Sequence, residues 1–346
     1  MKAAVIGAGP AGLSAAIGLA KSGFETTVYE RNKEWTGRVC GAFLSPESLE
    51  ALRWLGVKKK AEELGVPALS VAVYDAGGRR TDFPVDQEGV SALALPRKDL
   101  ERILSERAEE EGVKILRGVS AEARGLDCDL AVSAQGRLPP GRTQPETRKR
   151  WYGMNAEFEG APLRSGSVSL HFFPGGYIGM LTYANGMTNV CGLVRGAFKE
   201  GGESWQDVFS RLSDKRPDLR GMLAQAKAVT PWKGVGPLPF GCYIGSGDGA
   251  AWPVGDSAAV CDPFMGEGIS RALGAGPMIF GALRQAASPA KAYAEYRRLW
   301  HRSYRFRQNL GGVLRALSSR GWTASLAIAL FSRKSFQRLL LSAIHS

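Results

Sequence analysis

The sequence predicts an α/β fold in three parts: a Rossmann-type dinucleotide-binding unit, an antiparallel β-sheet domain inserted into it, and a helical C-terminus. Three observations carry that prediction. The chain opens on a strand–turn–helix–strand stretch, KAAVIGAGPAGLSAAIGLAKSGFETTVYER, from Lys2 to Arg31. Its middle changes texture to short β-rich runs, SVSLHFF, GYIGMLTYA and TNVCGLV, joined by glycine turns. From Ala292 onward it reads as helices with basic faces.

The opening stretch organises the rest. Ala3 to Ile6 is an apolar run of the length of a buried parallel strand, too short for a helix. Gly7, Gly9 and Gly12 supply G-x-G-x-x-G spacing. The first glycine permits the sharp turn, the second lets backbone approach a pyrophosphate, and the third lets helix pack close on strand. Leu13 to Lys21 continues as an Ala-rich helix whose N-terminal N–H groups and dipole face the phosphates. Gly23 ends it, Glu25 to Tyr29 alternates as a second strand, and Glu30 closes that strand with a carboxylate placed for a ribose diol. A lone glycine motif is a weak signal. All these parts at their offsets within ~30 residues make a dinucleotide site.

A chain of 346 residues accommodates one large or two modest domains, and its 44% hydrophobic and 23% charged content is that of an ordinary globular protein. Cys40, Cys128, Cys191, Cys242 and Cys261 are scattered, odd in number and without C-x-x-C spacing. That argues against a disulfide framework and against zinc. Histidines only at 171, 301 and 345 leave no histidine metal cluster to expect. Lys2 leads straight into the first strand, so a signal peptide is not expected, nor is a membrane span without a run of 18 apolar residues. The expected location is a reducing cytoplasm, with peripheral attachment to the inner face of a membrane as the alternative.

Gly37 to Gly56 holds a helix with Ser45 or Ser48 as its cap and Leu49, Leu52 and Leu55 on one face. Arg38, just before it, is a cation within reach of a pyrophosphate or an ordinary surface residue. Ala68 to Val85 reads as a hairpin around Gly77-Gly78, which interrupts the βαβ pattern. Pro96 opens a helix to Glu111, with Leu100, Ile103, Leu104 and Ala108 on one face, and Val113 to Leu116 is a strand. Asp129 to Ala134 returns to the first sheet, and Gly136 to Gly141 is an exit loop. In the β-rich block that follows, His171 between Leu170 and Phe172 reads as a structural histidine, and Trp205 to Ala226 as helical. In GDSAAVCDPFMGEGISRAL, Asp256 stands at a strand end where it can bond a polyol. Gly266 to Gly268 precede a helix starting near Ile269, with backbone N–H groups for a ring carbonyl. The expected division is 1–67, 94–140 and 231–284 for the cofactor domain, 68–93 and 141–230 for the substrate domain, and 285–346 for the basic tail.

GAGPAG with Glu30-Arg31, PRKDL around Arg97, and GDSAAVCDPFMGEGI together resemble one family. It is the superfamily of FAD-dependent oxidoreductases that includes geranylgeranyl reductases, flavin-dependent halogenases and aromatic hydroxylases of the p-hydroxybenzoate hydroxylase type. GEGI and Cys40-Gly41 look most like the geranylgeranyl reductase branch. The resemblance implies that Gly7, Gly9, Pro10, Ala11 and Gly12 hold the FAD pyrophosphate, with Glu30 and Arg31 at the adenosine ribose. It puts Arg97 beside the flavin or its diphosphate, Asp256 at ribitol or diphosphate oxygens, and Gly266, Gly268 and Ile269 along the isoalloxazine. Cys40 would fall near the flavin face; Cys40 and Tyr177 are the catalytic candidates, as proton donors. Two departures bear on function. The G-A-D-G segment that hydroxylases use in NAD(P)H reduction is here Ser133-Ala134-Gln135-Gly136, with Gln135 in place of the acid, and Y-x-W-x-F-P is Tyr177-Ile178-Gly179-Met180-Leu181-Thr182.

The expected function is thus an FAD-dependent oxidoreductase acting on a hydrophobic small molecule or lipid, reducing C=C bonds of an isoprenoid. The alternatives are hydroxylation of a phenolic or polyketide-derived substrate, and an electron-transfer flavoprotein docking on a membrane partner. NAD(P)H or a separate reductase would supply electrons. The net charge of +12 is concentrated in the tail, where from Arg284 on the one acid is Glu295. Ala292 to Arg307 and Leu310 to Ala316 read as two helices, followed by apolar Trp322–Phe331 and Phe336–Ile344 around Arg333-Lys334. Such a tail suits an anionic membrane surface or a cap over the substrate tunnel. No nucleic-acid recognition motif accompanies the charge.

Overall fold

A computed structural model describes residues 1–318 except 36, 86–90, 138–149, 200, 246–249 and 264–265. The short apolar runs form a five-stranded parallel sheet, in the order Trp252–Pro253, Leu130–Ser133, Lys2–Ile6, Glu25–Glu30, Lys114–Arg117. Val5, fully buried, registers with Val28 on one side and Val132 on the other. Both faces of a parallel sheet are covered, which is why these strands are apolar runs rather than alternating ones. The helix Pro10–Lys21 buries Leu13, Ile17 and Leu19 in the same core as Leu100, Ile103 and Leu104 of the helix Arg97–Glu110. Against its other side lies the helix Ala275–Gln285, at backbone contact. A Cβ on Gly18 would stand 2.5 Å from the Gly276 carbonyl oxygen, and Gly276 N–H donates to Ser14 Oγ at 2.9 Å.

The second sheet is larger. Its path is Lys227–Ala228, Trp151–Glu159, Thr188–Arg195, Gly176–Thr182, Val168–Phe173, Ser70–Tyr74, Arg80–Pro84. All neighbours are antiparallel except Val168–Phe173 with Ser70–Tyr74. Strand alternation sorts its two faces. Phe173 packs with Val208, Phe209 and Leu219 of the covering helices, whereas Leu170 and Phe172 lie on the opposite face with Tyr177 and Leu193. His171 belongs to the helix-covered side. It is fully buried, 2.6 Å from Asp218 and 3.0 Å from Ser169 Oγ, and stacked on Tyr74 at 4.5 Å. It pins a helix to the sheet, as a structural histidine does.

Four expectations change. The Trp205–Ala226 segment is two helices, Trp205–Asp214 and Pro217–Leu223, because Pro217 lacks the N–H to continue the first and is suited to starting the second. The tail helices are one, Pro289–Ser318, running through Gly311 and Gly312. Each glycine costs a free helix about 1 kcal/mol, but this helix is held from outside by side chains bonded to the body. Lys233–Val235 pairs with Trp151–Glu159, so the larger sheet continues past the expected boundary at 231. Ser45 occupies the N-cap of Pro46–Leu55 without a side-chain cap bond; its hydroxyl faces Ser48 Oγ at 3.4 Å. The Leu138–Gly141 part of the exit loop and the apolar segments Trp322–Phe331 and Phe336–Ile344 lie outside the described residues.

Candidate cofactor and substrate site

The first turn is built by steric necessity. Gly7 has φ +107° and lies so near the next strand that a Cβ would stand 2.5 Å from the Ala134 carbonyl oxygen. A Cβ on Gly12 would stand 1.9 Å from the Gly7 carbonyl oxygen. Gly9 differs. The nearest atom to a Cβ there is Arg97 Nη2, at 3.7 Å, so Gly9 faces open space at the N-terminus of the first helix. That helix has no side-chain cap and no acid in its first turn, leaving its N–H groups and dipole for an anion.

Glu30 is buried and accepts the Ala8 N–H at 2.9 Å, the Asn32 N–H at 3.0 Å and Asn32 Nδ2 at 2.8 Å. Burial alone would raise its pKa. The bonds from Ala8 and Asn32, with Arg38 nearby, outweigh burial and hold the carboxyl below its ordinary range.

A cavity of about 1090 Å³ runs from this turn between the two sheets. Its lining brings together Gly9, Pro10, Ala11, Arg31, Arg38, Cys40, Arg97, Tyr177, Asp256, Gly266, Gly268 and Ile269. Gly7 and Gly12 stand behind it as the shapers of the turn. Glu30 lines a small adjoining recess with Asn32, Trp35 and Arg38. The far wall is apolar, made by Leu170, Phe172, Leu193, Leu238 and Phe240 around Tyr177.

Arg97 and Arg137, two of the cations that line the cavity, are each paired with an acid. Arg97 Nε meets Glu101 at 2.7 Å, and its Nη1 lies 3.9 Å from Cys40 Sγ. Burial works against its charge, but Cys40 and Glu101 overcome that and strengthen it. Asp256 accepts Arg137 Nε at 2.9 Å, and Arg137 Nη2 reaches the Val39 carbonyl at 3.4 Å. Sequence reading placed Arg137 in an exit loop and missed this partner; its position straight after the strand-end Gly136 was the available signal. Tyr177 is buried, which pushes its phenol well above the usual value. Burial likewise pushes Cys191 and Cys261 up to about 12. Both thiols face the cavity protonated. Cys40 sits beside a left-handed Ala42, φ 55°, and its carbonyl accepts Asn189 Nδ2 at 2.9 Å. A non-glycine residue held there costs of order 1–3 kcal/mol and marks a constrained approach to the site. Among the described residues no group of three or more His, Cys, Asp or Glu is placed to hold a metal.

The family described as FAD binding domain matches residues 1–139. Menaquinone reductase of Mycobacterium tuberculosis is 26% identical, covering 79% of this chain and 74% of its own. Digeranylgeranylglycerophospholipid reductase 2 of Methanopyrus kandleri is 25% identical, covering 87% and 82%. In fold, the chain matches a geranylgeranyl bacteriochlorophyll reductase-like protein of Thermoplasma acidophilum at TM-score 0.77, with 17% identity over 96% of this chain and 91% of that one. It matches PqsL of Pseudomonas aeruginosa at TM-score 0.76, with 16% identity over 95% and 99%.

Fold and site define an FAD-dependent oxidoreductase. Residues 1–139 carry an FAD binding domain, and the chain is similar in sequence and fold to members of the superfamily that includes the geranylgeranyl reductases and the aromatic hydroxylases. The residues present fit the cofactor: a glycine open to a pyrophosphate at a helix N-terminus, an acid held ionised beside that turn, and a large chamber beyond.

Proposed function

We propose that this enzyme reduces C=C bonds in the polyprenyl portion of a lipid. The observation that carries the reading is the apolar far wall of a single chamber that begins at the pyrophosphate turn. Its volume of about 1090 Å³ exceeds the roughly 300–1,000 Å³ of an ordinary small-molecule pocket, which suits a dinucleotide and a second, hydrophobic molecule together. The curated relatives, by their names, act on menaquinone and on a digeranylgeranyl lipid, both of which carry polyprenyl chains. FAD, when bound, supplies hydride acceptance and delivery.

In this reading Gly9, Arg97 and Glu30 hold the cofactor, and Leu170, Phe172, Leu193 and Phe240 exclude water from the chain being reduced. Tyr177 keeps a proton on its hydroxyl at neutral pH and Cys40 Sγ stands beside Arg97; these are the groups from which a proton can come. Electrons arrive from NAD(P)H or a separate reductase. On the Pro289–Ser318 helix, exposed Arg298, Arg302 and Arg305 share a side with Phe306 (56% exposed) and Val313 (55% exposed). That mixture supports a peripheral stance on an anionic membrane. No described helix is long and apolar enough to cross one.

The test reduces the flavin anaerobically with dithionite and adds menaquinone in detergent micelles. Flavin reoxidation with gain of hydrogen in the prenyl chain, read by mass spectrometry, is the expected result. An unchanged lipid overturns the reading. Addition of oxygen to a phenolic substrate under air would instead establish the hydroxylase alternative.

A further inference from the structure

The Pro289–Ser318 helix does more than cover the body. Along it, Tyr296 Oη donates to the Pro253 carbonyl at 2.8 Å, and Gln308 Nε2 to the Val260 carbonyl at 3.0 Å. Arg307 Nη1 meets Glu267 at 3.1 Å, where Glu267 is buried and also bound by Arg271 at 2.9 Å. Near the end of the helix, Arg315 Nη1 meets Asp262 at 2.8 Å, a carboxylate only 2% exposed. Each of these partners belongs to the 253–271 stretch that carries Asp256, Gly266, Gly268 and Ile269 to the cavity. One helix therefore grips the cofactor loop from behind at several points.

Arg315 also touches a second wall. Its guanidinium lies 4.1 Å from the centre of the Phe240 ring, and Phe240 lines the cavity's apolar end. Cys261 and Pro263, on either side of Asp262, line the same cavity. A planar cation that bonds a carboxylate with one edge and lies over an aromatic face holds both in place, and guanidinium suits the two contacts where a lysine ammonium suits one.

We propose that Arg315 is a positioning residue, clasping the cofactor loop through Asp262 to the apolar wall through Phe240, so that the C-terminal helix sets the shape and polarity of the flavin's surroundings. This rests on the reading that one cavity holds FAD and an apolar substrate. The clasp gives the part of the helix beyond Gly311 and Gly312 a contact with both walls.

The test uses the full chain, with FAD affinity by fluorescence titration and the flavin midpoint potential by dye equilibration. Arg315→Met, Arg315→Lys and, as control, Lys291→Met at an exposed position of the same helix are compared. Arg315→Met is expected to weaken FAD about tenfold, the effect of losing one charged hydrogen bond, and to shift the potential and the visible spectrum. Arg315→Lys, which keeps the ion pair and loses the stacked plane, recovers the affinity and leaves the spectrum shifted. Lys291→Met matches the unsubstituted protein. A folded Arg315→Met protein with unchanged affinity, potential and spectrum overturns the proposal. If Arg315→Met does not fold, an unshifted Arg315→Lys spectrum overturns it in the same way. If the unsubstituted chain binds no FAD, the reading of the cavity fails, and the clasp with it.

Discussion

The carboxylate of Glu30 reaches back across the first sheet to accept the backbone N–H of Ala8, in the turn between Gly7 and Gly9, at 2.9 Å. One side chain thus ties the end of the second strand to the phosphate turn and faces the recess beside it. Glu30→Gln keeps the shape and removes the charge. Hydrogen bonds to a charged group are worth about 1.5–3 kcal/mol, so FAD affinity should fall at least tenfold, with the melting temperature of the apoprotein lowered as well. Titration with FAD and thermal unfolding check both.

The glycines of the turn make different demands. Gly9→Ala meets no protein atom closer than 3.7 Å, so the apoprotein should melt as before while FAD affinity drops tenfold or more. Gly12→Ala would put a methyl 1.9 Å from a carbonyl oxygen. That overpacking belongs at or beyond the top of the usual range of about 1–3 kcal/mol. Comparing apoprotein unfolding with FAD titration for the two variants separates a cofactor contact from a packing contact.

His171 and Asp218 set a pH dependence of stability. Burial lowers the His171 pKa below 6.5 against the pull of Asp218, and Asp218 is held below its ordinary 3.8 by Arg216 and His171, despite burial. Both folded values are depressed, so the unfolded chain binds more protons, and stability is lost as pH falls. The histidine limb begins below about pH 6.5 and the aspartate limb below about pH 3.8. Denaturant unfolding between pH 8 and pH 5 should show the first limb, and His171→Gln should flatten it.

Thiol labelling reads out the cavity. Half-buried Cys191 and buried Cys261, both pushed up to about 12, stay protonated at pH 8 and should resist iodoacetamide, while exposed Cys242 reacts. Peptide mapping after short exposure checks the order. Early labelling of Cys191 or Cys261 would show that the chamber opens.

Cys40→Ala bears on the proton supply. If Cys40 Sγ provides the proton, turnover should fall about a hundredfold, as for loss of a general acid, with FAD still bound. An unchanged rate would leave Tyr177, tested by Tyr177→Phe, as the donor. Steady-state rates with a polyprenyl quinone decide between them.

The sequence by itself determined the first unit of this protein. A short apolar run, three glycines, an Ala-rich helix and a terminal acid are local patterns, and local sterics leave such a stretch one way to fold. It also pointed to the segment that carries Asp256, Gly266 and Gly268 to the cavity, and to the β-rich texture of the second sheet. It did not reveal that Asp256 pairs with Arg137, that Lys233–Val235 joins the larger sheet, or that residues 289–318 are one helix. Nor did it place Arg315 between Asp262 and Phe240. These are contacts between residues far apart in the chain, chosen by which surfaces the two sheets and the last helix bring together. Pairing across such distances depends on packing, and packing is absent from spacing and composition. The tertiary structure alone decided the shape of the chamber and which cations face it.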